Sequence, residues 1–555
     1  MSALSPCRTV AVGILAVLTV STPSAFAAPG RVAIAVVPEI ASTHKEVYRA
    51  NAVSAVALAD GGAIVVAGRA RGGFAAMRLR ADGSLHRAFG SAGVARVAIA
   101  GGPFDAEQVL VQPDGRLLVA VTSRAIARYE NPRLSVVRLT PGGAVDTSFG
   151  RRGIAATGVQ RSCGGCDTNA PIGLAPDGTV VVAGHTGADT DRSPQRAVVV
   201  RLTRAGALDS SFGGHGAVRP AGERAVAAAV SPTGRIVVVV DHTRLVALTP
   251  AGLADPSFNA GAPFELSMWL FGGSSLYLHP DGTIDLQGIN VFRFTPAGVL
   301  DPSYGRPLME EDPFGGPRRV VADSPVGIAQ GPFLHGAITR MEPLPDGSTL
   351  IYAPNPTSDE PLLTVRHISA DGVAGLETNL SSTFGGGAAN GRRLRQNSFE
   401  PSLLLRRPDG SFLVIGAVHV LGRADVGTGL LAAAAYTPAL QPDPSFGGSR
   451  TPVRASVRVP RQTTRAAVKL QAVRVRLTAS GPGLALVRVR DGRQRIVARS
   501  IVPVYRAGTS TVNIRVEWAG LQLLRAQREL RVQVGYEFRD VFTETDEGAV
   551  VARLR

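Results

Sequence analysis

Three histidines, His185, His242 and His419, each stand where a short apolar run ends. Runs of this length are typical of β-strands. If the three strands converged, their imidazole rings could bind a transition metal. The repeats that carry them, described below, are not all neighbours in the chain. We therefore interpret them as exposed loop histidines and predict no metal site.

Other polar side chains stand in comparable positions after strands and in loops. With the three histidines they form our candidate ligand-binding set, which is completed by Arg69, Arg128, Asp189 and Asp241. No serine-hydrolase elbow, zinc-protease helix, Walker loop or dinucleotide fingerprint occurs in a supporting context. We predict no catalytic residue, no cofactor and no enzymatic activity.

Two cysteines, Cys163 and Cys166, are spaced as C-x-x-C. This spacing is found in half of a zinc site or in a redox pair. No second such pair exists, and no thioredoxin-like helix pattern follows. For an exported chain we favour a disulfide that closes one loop, with metal or redox roles as the alternatives.

The elements that must position these residues belong to a repeat. A corner motif ending in Asp-x-Ser-Phe-Gly is clearest at 146–150, 209–213 and 443–447, and degraded copies occur elsewhere. Its aromatic residues are Phe89, Phe149, Phe212, Phe258, Tyr304, Phe384 and Phe446. A Pro-Asp-Gly type of turn precedes each corner, with its glycine at Gly61, Gly115, Gly178, Gly234, Gly282, Gly347 and Gly410. Such periodicity indicates a repeat architecture.

Each repeat predicts four short strands. In the second repeat a strand ends at Gln112, a turn follows, and Leu117 to Val121 return. Leu134 to Leu139 form a third strand, and Gly153 begins a fourth after the corner. Four strands with turns at fixed offsets are typical of a β-propeller blade. The fold class we predict is all-β: a seven-bladed β-propeller over residues 28–450.

We interpret the corner as structural. The aspartate can accept hydrogen bonds from backbone N–H groups one or two residues on, and the aromatic ring can fill the seam between neighbouring sheets. Burying such a ring contributes roughly 1.5–3 kcal/mol. We reject a calcium loop, because calcium gathers several carboxylates within about a dozen residues and each corner holds only one or two.

These residues carry a resemblance. The Pro-Asp-Gly turn, the Leu-Leu-Val-Ala strand and the Leu-Asp-Ser-Ser-Phe-Gly-Gly-His-Gly corner resemble the delta-60 β-propeller repeat of exported bacterial proteins. The likeness covers about Val53 to Phe446 and is strongest in repeats two and three. It departs at Tyr304 and at 376–384, where the aspartate is missing. It implies a propeller and no particular reaction.

The two faces of such a disc are unequal. The turns and corners lie on one face, here called the corner face. Almost all insertions lie on the other, the insertion-rich face, at 160–171, 185–195, 307–336, 354–361, 385–400 and 417–428. Variable loops on a rigid scaffold usually carry binding, so we predict a ligand surface there. The alternatives are a lyase-like or glycosidase-like enzyme with paired carboxylates, acting on an extracellular glycan, and a purely structural surface module.

The N-terminus predicts export. Arg8 precedes an apolar run from Val10 to Val20, and Ala25-Phe26-Ala27 has the small-x-small form of a cleavage site, so we predict a signal peptide over residues 1–27. We expect a secreted or cell-wall-associated protein without a transmembrane segment after signal removal. Arg31 to Val37 are apolar enough to close the ring by pairing in the last blade.

The C-terminal region differs in composition. Of the net charge of +16, the region from Thr451 to Arg555 carries +12, with 20 basic and 8 acidic residues. We predict a linker or last outer strand over 451–460 and a basic Ig-like β-sandwich over 461–555, because apolar residues alternate with arginine there. Its charge could attract an anionic cell-envelope polymer, although a solvated face is the simpler interpretation. The propeller's partner would be an extracellular glycan or protein. Nucleic acid is not expected.

Overall fold

The computed structural model of the protein describes residues 32–35, 52–70, 73–99, 104–123, 133–160, 171–187, 195–266, 275–288, 290–305, 309–310, 319–320, 328–329, 340–355, 362–380, 399–420, 428–441, 443, 446, 454–481, 483–504, 507–540 and 545–555.

Strand β1 (Val32–Ala35) comes first, and antiparallel meanders follow it. Sheet A comprises β2 (Ala52–Ala57), β3 (Ala63–Ala70), β4 (Gly73–Leu79) and β5 (Val94–Ala98). Sheet B comprises β6 (Phe104–Val111), β7 (Leu117–Ser123), β8 (Arg133–Leu139) and β9 (Ile154–Gln160). Sheet C comprises β10 (Ile172–Leu174), β11 (Val180–Thr186), β12 (Arg196–Leu202) and β13 (Ala217–Val218). Sheet D comprises β14 (Ala225–Val230), β15 (Ile236–Val240), β16 (Arg244–Leu248) and β17 (Phe264–Glu265).

The later sheets repeat this plan with two variations. Sheet E comprises β18 (Ser275–Leu278), β19 (Ile284–Gln287), β20 (Val291–Phe294) and β23 (Ile328–Ala329), and a small hairpin of β21 (Met309–Glu310) and β22 (Arg319–Val320) lies between the last two in the chain. Sheet F comprises β24 (Arg340–Pro343), β25 (Thr349–Asn355), β26 (Leu362–Ile368) and β27 (Ala374–Leu380). Sheet G comprises β28 (Phe399–Arg406), β29 (Phe412–Val420) and β30 (Thr428–Tyr436), and its fourth strand is β1.

The N-terminal strand completes the last sheet, as the sequence predicts. β1 runs antiparallel to β30, with Val32 opposite Ala434 and Ala35 opposite Leu431. The two ends of the repeat region therefore meet in sheet G. The stretch 451–460 does not supply this strand.

The apolar core lies between the sheets. In β7, Leu118 and Ala120 pack towards sheet C, whereas Leu117, Val119 and Val121 pack towards sheet A. The middle strands are therefore buried on both faces, which explains their continuous apolar runs. Similar clusters join each sheet to the next, and one cluster joins sheet G to sheet A. The result is a closed β-propeller.

The sixth corner differs from its prediction. β27 begins at Ala374, directly after the turn at Asp371 and Gly372, so no aromatic corner separates the third and fourth strands of sheet F. Residue Phe384, which we assigned to that corner, lies outside the described residues. The missing aspartate in this repeat is the local reason, because no carboxylate is available to fix the corner.

The C-terminal region forms two sheets around one core. Its elements are β31 (Ala455–Arg458), α1 (Thr464–Leu470), β32 (Ala472–Ala479), β33 (Gly483–Asp491), β34 (Ile496–Val504), β35 (Gly508–Arg515), α2 (Trp518–Ala526), β36 (Leu530–Asp540) and β37 (Thr545–Leu554). One sheet has the order β31-β32-β35 and the other β34-β33-β36-β37. β31 pairs with β32 and thus belongs to this region.

Helix α1 was not predicted from the sequence. Thr463 caps it by accepting a hydrogen bond from the Ala466 N–H, and Gln471 ends it in the left-handed conformation. The second helix, α2, follows Glu517 and carries Gly520 and Leu524 on its buried side. Among the described residues, no helix is long and apolar enough to cross a membrane.

Candidate functional site

The repeated corner is a hydrogen-bonded unit. In sheet B, the Asp146 carboxylate accepts hydrogen bonds from the backbone N–H (3.1 Å) and hydroxyl (2.6 Å) of Ser148. Arg138 in β8 donates to the same carboxylate at 2.9 Å, and its Cζ lies 4.6 Å from the centre of the Phe149 ring. The hydrogen bond from the Ser148 hydroxyl lowers the pKa of Asp146. With the charge of Arg138 it outweighs burial, which would raise that pKa, and the pKa falls to about 2. The carboxylate is therefore ionised, and both of its oxygens accept hydrogen bonds.

The same unit fastens sheet B to sheet C. Arg138 Nη1 donates to the Arg204 carbonyl of sheet C at 2.6 Å, and the Gly150 N–H donates to the Ala205 carbonyl at 2.7 Å. The Phe149 ring lies against Gly206, where a Cβ atom would come within 2.9 Å of it. We call this set of contacts the inter-sheet latch. It consists of a guanidinium group, an aromatic ring and a backbone N–H that reach the following sheet.

Different arginines supply the guanidinium group of the latch. In sheet C it is Arg201, at the same position as Arg138. In sheet D this position is Ala247, and Arg235 from the preceding turn takes over, donating to Asp255 at 2.7 Å and to the Pro296 carbonyl at 2.7 Å. In sheet G a third position is used, where Arg407 donates to the Ala81 carbonyl of sheet A at 2.9 Å.

Moving the arginine of sheet D from position 235 to position 247 tests whether the two positions are equivalent in the latch. We expect Arg235→Ala to lower the free energy of unfolding by about 1.5–3 kcal/mol, because it removes charge-assisted hydrogen bonds from Asp255 and the Pro296 carbonyl. Adding Ala247→Arg should recover at least half of that loss, because it restores the arrangement of sheets B and C. Urea denaturation of the two variants measures both effects. Failure of the second substitution to recover any stability would contradict the equivalence.

Sheet E contains a buried form of the arginine–aspartate pair, which the sequence analysis did not predict. Asp285 in β19 is 0% exposed and accepts two hydrogen bonds from Arg293, at 2.7 and 2.8 Å. His279 Nε2 lies 2.9 Å from the same carboxylate, and the Thr349 hydroxyl lies 3.3 Å away. Burial alone would raise the pKa of Asp285, but Arg293 and His279 outweigh it and hold the pKa below its ordinary value. Arg293 also donates to the Ala370 carbonyl of sheet F.

A second titratable group lies near this cluster. Glu342 in β24 is half-buried, and burial raises its pKa to about 7, although the Arg406 backbone N–H and positive charge oppose the shift. Tyr277 in β18 is close enough for the Glu342 charge to raise its pKa further after burial has done so. Neither group was among our sequence candidates, since each is a single polar residue in an otherwise ordinary strand.

The raised pKa of Glu342 makes stability depend on pH. The folded state holds the proton more tightly than the unfolded state, so this group lowers stability as pH rises from about 4.5 to about 7. We expect Glu342→Gln to be more stable than the parent at pH 8 by about 3 kcal/mol and similar to it at pH 4. Urea denaturation at both pH values measures this. A pH-independent difference would contradict the shift.

On the insertion-rich face, Asp241 and His242 form the turn between β15 and β16. Both have positive φ, 52° and 59°, and the Thr243 N–H donates to the Val240 carbonyl at 3.1 Å. This is a type I′ turn, in which aspartate and histidine are tolerated better than most residues. The Asp241 carboxylate accepts the backbone N–H groups of Glu223 (3.1 Å) and Arg224 (2.8 Å). It therefore anchors the loop that enters sheet D.

Two of the three histidines, His185 and His242, are buried, contrary to our interpretation of them as exposed. His242 is buried, and burial lowers its pKa, with the Arg224 charge acting in the same direction. His185 is 1% exposed, because β11 carries it between Ala197 and Gln160, and that pairing joins sheet B to sheet C. Around them, Arg224 donates to Gln195. Among the described residues, four polar ones therefore lie together at the junction of sheets C and D: Asp241, His242, Arg224 and Gln195.

The remaining candidates are not brought together by the described residues. Arg69 and His419 lie on β3 and β29, with only their backbone described. Arg128, Asp189, Cys163 and Cys166 lie outside the described residues. Among the residues that are described, no group of three or more His, Cys, Asp or Glu side chains could hold a metal ion. A cavity of about 240 Å³ on the corner face lies beside the latch residue Arg201 and is lined largely by turns of sheets C and D.

The sequence matches one family model, a beta-propeller domain of unknown function, over residues 112–149 and 175–212. These segments contain the turns and corners of sheets B and C. No curated protein matches the chain.

Several solved structures align with this chain at low sequence identity. A structure of YCF48 bound to D1 peptide has a TM-score of 0.36 and 11% identity and covers 73% of this chain and 96% of its own. A glucose dehydrogenase has a TM-score of 0.31 and 15% identity, with 70% and 96% covered. BamB from Moraxella catarrhalis has a TM-score of 0.28 and 10% identity, with 81% and 96% covered. The sheets, their latches and the family match identify the chain as an all-β protein with a β-propeller.

Proposed function

We propose that this chain is a secreted or cell-wall-associated binding scaffold. In this proposal, a seven-bladed propeller of delta-60-like repeats binds its ligand on the insertion-rich face and has no catalytic role. One observation carries the proposal: the corner aspartates of sheets B, C and D are all engaged in inter-sheet latches. The ionised Asp146, Asp209 and Asp255 each bind a serine and an arginine of that face.

The insertion-rich face carries polar side chains that do not belong to the latches. The polar group at Asp241, His242, Arg224 and Gln195 occurs at one junction and has no counterpart in the repeated corner. Two exposed arginines, Arg196 and Arg219, flank that junction. Because these side chains are not needed for the latches, we place the ligand surface there. An extracellular glycan or protein is the ligand class that suits an exported chain.

The location and the second domain are part of the same proposal. The predicted signal peptide at residues 1–27 and the C-x-x-C pair at Cys163 and Cys166 support export. For the predicted residues 461–555 together with β31, which pairs with β32, we propose an Ig-like sandwich. Its support is the strand order β31-β32-β35 against β34-β33-β36-β37, in which β35 crosses back to the first sheet, as in Greek-key sandwiches.

Retention on purified Gram-positive cell walls tests the proposal. Residues 28–555 are incubated with walls and washed at about 0.5 M salt, where the Debye length is about 4 Å and weak attraction between exposed charges is screened. We expect the parent chain to be retained and Arg196→Ser/Arg219→Ser to lose most of that retention. The matched control, Arg87→Ser/Arg151→Ser, removes two exposed arginines from the corner face and should behave as the parent. Equal losses in both variants, or no retention of the parent, would contradict the proposal.

A further inference from the structure

The outward face of the three-stranded C-terminal sheet carries unusual charge. Alternation along its strands turns Val457, Val473, Val475, Leu477 and Ile514 into the core. The same alternation exposes four arginines, which we call the basic face: Arg458, Arg474, Arg476 and Arg515.

Strand register brings these arginines together. Arg458 in β31 stands directly opposite Arg476 in β32. Arg474 is two residues along β32 from Arg476, a separation of about 7 Å. Arg515 in β35 stands opposite Ala472 and is therefore the diagonal neighbour of Arg474. The four arginines thus form one patch centred on β32.

No acidic residue offsets this charge. Of the 8 acidic residues between Thr451 and Arg555, none lies in β31, β32 or β35. On the other sheet two exposed arginines have acidic partners: Arg499 pairs with Glu517 at 2.5 Å and Arg553 with Glu529 at 3.3 Å. Among the described residues, no carboxylate pairs with the basic face.

This arrangement is unfavourable for the isolated domain. Like charges directly opposite each other on neighbouring strands destabilise a sheet. The uncharged residues between the arginines are Thr478, Thr511 and Asn513, which can donate hydrogen bonds but cannot neutralise charge. A surface that keeps such repulsion is typical of a site at which a ligand supplies the missing anions.

We propose that the basic face binds a linear phosphodiester polymer that lies along β32. A guanidinium group donates two parallel hydrogen bonds to a phosphate, and the chain uses arginine almost exclusively, with Lys45 and Lys469 its only lysines. A group of arginines spread along neighbouring strands suits an extended polymer with a charge in every repeat better than a compact ligand. This site is separate from the propeller face and does not rest on the function proposed for it.

Binding to immobilised poly(glycerol phosphate) across a salt series tests the proposal. With residues 28–555, we expect affinity to fall steeply with salt. Arg458→Ser/Arg476→Ser should weaken binding at least about fivefold at low salt and reduce the slope of log affinity against log salt by about 1.4, the value for two lost phosphate contacts. The matched control is Arg531→Ser/Arg553→Ser, another directly opposed pair on the other sheet, which should retain the parent affinity within about twofold.

Three results would overturn the proposal. The first is no binding of the parent to the polymer. The second is an equal loss in both double variants, which would indicate net charge alone. The third is tighter binding to phosphatidylglycerol vesicles than to the polymer, with the same dependence on Arg458 and Arg476, which would indicate a membrane surface. Thermal unfolding checks that each variant is folded. The double variant Arg458→Ser/Arg476→Ser should unfold at or above the temperature of the parent, because repulsion between the two arginines is relieved. If that pair misfolds, the single variant Arg474→Ser replaces it, and it should halve the change in slope.

Discussion

Asp285→Ala should lower the free energy of unfolding by about 3–5 kcal/mol, the largest effect expected of a single substitution in sheet E. The substitution leaves the Arg293 guanidinium, which is 8% exposed, without its carboxylate. It also removes the acceptor used by His279 and Thr349. The loss therefore arises from stranded polar groups more than from the missing side chain. Urea denaturation, monitored by circular dichroism, measures it.

A second variant separates the charge from the packing. Sheet D has Val237 and Ala247 at the positions of Asp285 and Arg293. Asp285→Val/Arg293→Ala copies that pair into sheet E. Because no buried charge is then left unpaired, we expect the double variant to lose less stability than Asp285→Ala alone. A double variant that is less stable than the single one would contradict this explanation of the cluster.

Phe212→Ala should also lower the free energy of unfolding by about 3–5 kcal/mol. The Phe212 ring is fully buried between Arg201, whose Cζ lies 4.9 Å from its centre, and Gly252 of sheet D. Truncation opens a cavity in the seam between two sheets and removes part of the latch. Leu253→Ala is the control, because Leu253 is 64% exposed beside the same seam and should change stability by less than about 0.5 kcal/mol.

A substitution at Gly252 changes the same contact from the side of sheet D. Gly252 has φ of +84°, and a Cβ there would lie 2.8 Å from the Phe212 ring. Gly252→Ala should therefore be destabilising both through its backbone conformation and through the ring. If Phe212→Ala and Gly252→Ala were fully additive, the aromatic ring and the glycine would not form one contact.

The sequence predicts the local chemistry of the corner well. Aspartate, serine and phenylalanine at fixed spacing act within a few residues, and Asp146, Ser148 and Phe149 are placed as expected. The arginine of the latch could not be predicted in the same way. Its side chain reaches Asp255 from Arg235, 20 residues away, and the position changes among sheets B, D and G. Long side chains make such substitutions possible without any local pattern.

The candidate site was predicted less well for a related reason. Burial of His185 follows from the pairing between sheets B and C, which no local pattern encodes. Asp285 reads as an isolated acidic residue in an apolar strand, and only the adjoining sheet F explains it through Thr349 and the Ala370 carbonyl. By contrast, the sequence did offer a candidate for the closing strand, because the stretch before the first repeat is apolar enough to pair in the last sheet.

Closure of the ring by β1 makes the seven sheets one propeller, and a designed crosslink tests it most directly. Ala33 stands opposite Ala433, and paired residues of antiparallel strands have Cα atoms about 4.5–5.5 Å apart, within the range of a disulfide. In residues 28–555 carrying Ala33→Cys/Ala433→Cys, we predict that oxidation links the two cysteines within one molecule, at every protein concentration, as seen by peptide mass mapping. A link that forms only between molecules, or no link at all, would contradict a ring closed by its own N-terminal strand.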